Sequence, residues 1–253
     1  MARQRGLVRV EGTIGDIIFY RSIDGYIIRE KAPSNAEKIL THPNYKRTRE
    51  NIAEFGRAAK AAKTLRYAFG PIITKARDSR VTSRLIREMV RVIQTDQLNL
   101  RGQRKVANGE AELLQGFNFN AKGVLSTTFK APFQYMLDRA MGNATITVPP
   151  FNPEKMLVAP ASGTHFRLFA AAADVDFTQG KDSTDIKESN YFLLDTQQPT
   201  TTIHFQMALP TASTHVLFLA LGIEFVQELN GNKYPLSSGA FNACALIKVD
   251  RVV

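Results

Sequence analysis

His215-Val216-Leu217-Phe218-Leu219-Ala220-Leu221 is an unbroken apolar run. It is too short to cross a membrane, and its branched and aromatic side chains read as a buried β-strand. We extend it to Gln227. Working outward, Ala240 to Val249 is a second such strand, and Leu229-Asn230-Gly231-Asn232 marks a hairpin through its Asn-Gly pair. On the N-terminal side, Thr201 to Leu209, Tyr191 to Leu194 and Thr164 to Ala171 are further strands. Asn143-Ala144-Thr145-Ile146-Thr147-Val148 alternates with period two and stops at Pro149-Pro150. Gly123 to Phe129 reads as one more strand, and Pro132 to Met141 as a short helix or an irregular link. Short strands separated by polar turns predict an immunoglobulin-like antiparallel β-sandwich over residues 118–253.

Residues 1–117 read differently, as a basic hairpin-and-helix region, so the fold class expected is α+β. Ile17-Ile18-Phe19-Tyr20-Arg21 and Tyr26-Ile27-Ile28-Arg29 flank Ser22-Ile23-Asp24-Gly25, a hairpin signature. Leu7-Val8-Arg9-Val10-Glu11 would add a third strand. Such a small sheet needs cover from a helix or another chain. Pro43 suits a helical first turn. Thr48, Ile52, Phe55, Ala59, Ala62, Leu65 and Phe69 then recur at helical spacing, which predicts that they share the buried face. Gly70-Pro71 should stop or kink this helix. A second helix is predicted from Ser79, as N-cap, to about Gln97, burying Val81, Leu85, Met89, Val92 and Ile93. A short third helix is expected from Gly109 to Gln115. The two regions are expected to meet near residues 116–143.

The net charge of +10 is uneven. Residues 1–110 carry 23 Lys and Arg against 11 Asp and Glu, whereas residues 111–253 carry 10 against 12. One half is therefore suited to meet an anionic partner. Arg80, Arg84, Arg87 and Arg91, at steps of four, three and four, place four guanidiniums on one helical face. Lys46, Arg49, Arg57 and Lys60 share a sector of the preceding helix. Three uses are open to these eight residues: a solvated face paired within the fold, a phosphate-binding face, or a docking face for an acidic protein.

Signals for catalysis are scarce. Cys244 is the one cysteine and sits in an apolar run, so no internal disulfide or Cys-based zinc site is possible, and a reducing compartment suits the chain. His42, His165, His204 and His215 lack the spacing of a helical metal site, and the alternation around His204 puts it on a polar strand face. Asp174-Val175-Asp176 and Asp182-Ser183-Thr184-Asp185 lack the EF-hand spacing and read as loop acids. Gly12-Thr13-Ile14-Gly15 has the form of a KH clamp, but strand-like flanks read as glycines that permit a turn. No nucleophile elbow, Walker loop or dinucleotide fingerprint occurs. No cofactor is expected. No apolar run is long enough for a membrane span, and no signal-peptide core follows the basic Met1-Ala2-Arg3-Gln4-Arg5.

Gly12-x-x-Gly15-x-x-x-Phe19-Tyr20, Asp24-Gly25-Tyr26-x-x-Arg29-x-Lys31, Arg47-Thr48-Arg49-Glu50-Asn51 and Glu54-Phe55-Gly56 together resemble uncharacterised proteins widespread in Bacteroidota. The resemblance covers about residues 1–70. It extends more loosely to Gly222-Ile223-Glu224-Phe225, the hairpin to Leu236, and Gly239-Ala240-Phe241-Asn242. It implies a bacterial or bacteriophage origin and the two-part architecture, and supplies no catalytic residues. The location expected is the cytoplasm or a phage-like or extracellular assembly. Two functions compete. One is a non-enzymatic structural subunit that self-associates or meets a protein partner through the hairpin residues Ile17, Phe19, Tyr26 and Ile27. The other is a nucleic-acid-binding protein that uses the basic helices.

Overall fold

The computed structural model describes residues 2–4, 8–31, 36–236 and 241–252. Leu7, Gly239 and Ala240, which figure in the readings above, lie outside the described residues. The fold is α+β, as expected, and forms two compact units, Met1–Arg49 and Glu50–Val253. This division falls at 49/50 rather than at 117/118. The physical reason is that the second and later helices share a core with the large β-sheet.

The first unit is a four-stranded antiparallel sheet followed by short helical turns. Its strands are β1 (Ala2–Arg3), β2 (Gly12–Ile14), β3 (Ile17–Ser22) and β4 (Gly25–Glu30), in the order β1-β4-β3-β2. The β3–β4 hairpin follows the sequence, with Ile23 and Asp24 at its tip and Ser22 opposite Gly25. Val8–Glu11 form no strand. The side chain of Gln4 holds this stretch instead, donating to the carbonyl of Val10 (3.1 Å) and accepting from its amide (3.0 Å). Gly12-Thr13-Ile14 is β2, and Gly15-Asp16 turn it into β3, so this Gly-x-x-Gly is a hairpin element and not a loop between helices. Helix α1 (Ala36–Thr41) and a 3₁₀ turn at Pro43–Tyr45 lead into α2 (Lys46–Ala68).

The second unit has three layers. Its helical layer holds most of α2, α3 (Gly70–Lys75) and α4 (Val81–Gln94). Helix α2 ends before Gly70, and Pro71 sits in the first turn of α3. Helix α4 buries Val81, Leu85, Met89, Val92 and Ile93 as predicted, but its N-cap is Arg80 rather than Ser79, and the Arg80 amide donates to Asp78 Oδ1 at 2.6 Å. The expected third helix, Gly109 to Gln115, is a 3₁₀ turn at Ala111–Leu114, and another such turn precedes it at Val106–Asn108.

The middle layer is a six-stranded antiparallel sheet: β7 (His165–Asp176), β8 (Lys181–Glu188), β9 (Phe192–Leu193), β11 (Val216–Leu229), β12 (Asn232–Pro235) and β13 (Ala243–Asp250). β7 and β11 pair along eleven residues. β13 and then β12 line the far edge of β11, while β8 and β9 line that of β7. The third layer is β5 (Gln134–Asp138), β6 (Asn143–Val148) and β10 (Ile203–Ala208), in the order β10-β6-β5. Two single-turn helices flank β5 and β6 in sequence, α5 (Leu125–Thr128) before β5 and α6 (Pro153–Met156) between β6 and β7.

Both faces of the middle sheet are covered, which explains its uninterrupted apolar runs. Phe169, Ala171, Ala173, Phe218, Ala220, Cys244 and Leu246 face the helices. Phe166, Leu168, Ala170, Leu217, Leu219, Leu221 and Ile223 face the three-stranded sheet through its Ala144, Ile146, Val148, Phe205 and Met207. Two sheets packed face to face are compatible with the immunoglobulin-like architecture expected. Cys244 is fully buried, and burial pushes its thiol pKa well up, as befits a packing residue.

Three segments depart from the reading. Leu125–Thr128 is a helical turn and not a strand, because the side chain of Asn118 accepts the Leu125 amide (2.9 Å) and the turn drops Leu125 and Phe129 into the core. Gln134–Asp138 is a strand, drawn into register by β6. Lys181-Asp182-Ser183-Thr184-Asp185 is no loop but the start of β8, an edge strand whose charges suit an edge that must not pair further.

Candidate functional site

The eight basic residues predicted as a site meet different fates. Arg84 is internal. Its Nη2 donates to Asp78 Oδ2 (2.5 Å) and to the carbonyl of Phe119 (3.0 Å), and its Nη1 to the carbonyl of Asn118 (2.8 Å). The guanidinium also lies 5.0 Å from the centre of the Phe117 ring. Asp78 in turn accepts the amides of Arg80 and Ala121. Burial alone would raise the Asp78 pKa, but these donors and the Arg84 charge outweigh it and hold it below the usual aspartate value. The arginine stripe is therefore interrupted. Arg80 is exposed at the N-cap, while Arg87 and Arg91 are exposed and share Glu88 at 3.2 and 2.9 Å. Arg49, in the first unit, donates to the carbonyls of Ile39 and His42 and so closes the α1–α2 corner. Lys46 is exposed.

Arg57 and Lys60 come together in the second unit. The predicted buried face of α2 is rotated in its first half: Glu54, Ala58 and Ala61 are buried, and Ile52 and Phe55 are more than half exposed. The cause is the loop that follows α4. Glu54 accepts the Gly102 amide (2.7 Å), and Arg57 donates from Nε to the carbonyl of Arg104 (2.6 Å) and from Nη2 to that of Gly102 (2.5 Å). That loop packs on the polar side of the helix and turns the apolar side outward.

The loop is rigidly held. Asp96, almost fully buried, accepts the amides of Leu98, Asn99 and Lys105 and the side-chain amide of Asn99. Burial would raise its pKa, yet these four donors outweigh that and lower it. The backbone of Lys105 is thereby held, and its side chain shares a cavity with Lys60. Arg57, Lys60 and Lys105 line a cavity of about 190 Å³ whose floor is Ala61, Val106, Ala107 and Phe177, with Thr178 at the rim. No carboxylate lines it. Among the described residues none of the three cations has a carboxylate partner. Sequence periodicity brings Arg57 and Lys60 together, but Lys105 lies 45 positions from Lys60 and carries no signal of its own.

Other polar groups are tied into the fold. Arg167 joins Glu224 (2.7 Å) and Glu188, Lys75 joins the same two carboxylates, and Tyr191 lies against Arg167. Two cations and two carboxylates balance there. His215 Nδ1 lies 2.7 Å from Asp174 Oδ1 and ties the start of β11 to the end of β7. His204 is exposed on β10 beside Thr147, as its alternation predicts. The described residues hold no cluster of three or more metal-ligating side chains and no helix long and apolar enough to cross a membrane.

The four hairpin residues predicted for assembly lie on the first unit's central strands. Ile17 is exposed, and Phe19, Tyr26 and Ile27 are half-buried. Comparison of the chain with protein-family models, curated proteins and solved structures finds no match.

Proposed function

We propose that this protein is a non-enzymatic subunit of a larger assembly, joined to a second chain through its N-terminal sheet. One observation carries the reading: among the described residues, the four-stranded sheet buries no side chain on either face. Ile14 and Ile17 are exposed, and Ile18, Phe19, Tyr20, Ile27 and Ile28 are only half-buried. Apolar area left in water forgoes about 25 cal/mol per Å². A sheet so small gains stability chiefly when another surface covers it. Its edges support the same reading. β1 pairs with only two residues of β4 and β2 with only three of β3, which leaves stretches of the six-residue central strands that a strand from a partner can line.

Deletion of residues 1–31 tests the proposal, since the second unit has its own core. Light scattering should show an assembly for the whole chain and a folded monomer after deletion. An unchanged assembly after deletion, or a whole chain that stays monomeric, overturns it.

A further inference from the structure

We propose that the cavity lined by Arg57, Lys60 and Lys105 is a binding site for a phosphate monoester. The inference stands apart from the assembly reading and involves only the second unit.

The cavity has the charge of an anion site. Three cations converge on it and no acid lines it. Other cations of this unit are balanced by acids: Arg84 by Asp78, Arg167 and Lys75 by Glu188 and Glu224, Arg101 by Glu50. A concave site rimmed by one sign of charge concentrates field on its ligand. Three positive charges favour a dianion over a singly charged diester.

The cavity is also pre-organised. Two backbone carbonyls clamp Arg57 through Nε and Nη2, which leaves Nη1 to donate. Asp96 holds the amide of Lys105, and Val106 beside it is buried, so this wall cannot relax away. Phe177 is braced edge-on against Phe218, with ring centres 6.0 Å apart. The ligand therefore meets one clamped guanidinium, two exposed ammonium groups and an apolar floor. At about 190 Å³ the space lies below the range of roughly 300–1,000 Å³ typical of drug-sized ligands. It suits a phosphoryl group and the first atoms of what it esterifies, with the apolar part against Ala61, Ala107 and Phe177.

The test is calorimetric titration of the whole chain with inorganic phosphate, phenyl phosphate and a single-stranded oligonucleotide that lacks terminal phosphates. Saturable one-to-one binding of phosphate, tightened in phenyl phosphate, is expected. Lys60 and Lys105 are exposed, so K60Q/K105Q should fold and bind more weakly by roughly tenfold or more. A second variant, Thr178→Glu, sets a carboxylate on the exposed rim and should abolish binding, whereas R87Q/R91Q should leave it intact. Absence of saturable binding of either monoanionic-to-dianionic phosphate probe overturns the proposal. So does equal binding by K60Q/K105Q and T178E. Binding of the oligonucleotide without binding of phenyl phosphate overturns it in favour of a nucleic-acid backbone.

Discussion

Arg84 and its neighbours Arg87 and Arg91 look alike in the sequence, and their environments separate them. Arg84 bridges Asp78 and two backbone carbonyls, whereas Arg87 and Arg91 lie in solvent beside Glu88. Arg84→Gln should cost about 2 kcal/mol, because it strands a nearly buried carboxylate and two acceptors. R87Q/R91Q should change stability by less than about 0.5 kcal/mol. Urea denaturation of both variants at neutral pH checks this. The pH dependence has a definite sign. The folded pKa of Asp78 is depressed, so its contribution is present above the ordinary aspartate value of about 3.9. It is lost as the pH falls through the lower, folded value. The gap between wild type and Arg84→Gln should therefore narrow at acid pH; a constant gap would show that Asp78 is not the partner that matters.

At the scale of elements, the middle sheet depends on one close approach. Gly222 of β11 pairs with Phe169 of β7, and the Phe169 ring lies across it. A Cβ on residue 222 would stand 2.3 Å from that ring and 2.8 Å from the carbonyl of Ala243. Both neighbours are packed between layers, so neither can yield cheaply. Gly222→Ala should destabilise the protein by about 1–3 kcal/mol, read as a lower urea midpoint at unchanged slope. The hairpin to β12 behaves as its Asn-Gly pair predicts, with Asn230 and Gly231 at φ 51° and 78°. β8 shows the opposite case. Its sequence Lys181-Asp182-Ser183-Thr184-Asp185-Ile186-Lys187-Glu188 has no apolar alternation, and only pairing with β7 makes it a strand.

At the scale of the molecule, the helices and the sheets of residues 50–253 form one body, because Phe69, Leu85, Met89 and Ile93 share a core with Phe169, Phe218 and Leu246. A fragment of residues 118–253 would expose that whole face of the middle sheet. It should aggregate or lack a cooperative transition, whereas a fragment of residues 50–253 should unfold in one step. Circular dichroism melts of the two distinguish these outcomes. A soluble, cooperative 118–253 fragment would show that the sheets stand without the helices.

The sequence by itself determined the class, most strands of the middle and outer sheets, the buried face of α4 and the packing role of Cys244. These follow from local periodicity and from the lengths of apolar runs, which depend on near neighbours along the chain. Tertiary structure alone decided the rest. The covering of both faces of the middle sheet was not readable as a boundary, since an apolar run is the same whether a helix or a sheet covers it. The internal use of Arg84 arises from Asp78 and the carbonyls of Asn118 and Phe119, whereas the outward turn of Ile52 and Phe55 and the arrival of Lys105 beside Lys60 arise from the loop after α4. Asp96 and Glu54 hold that loop through hydrogen bonds between residues distant in sequence, and such bonds leave no periodic trace.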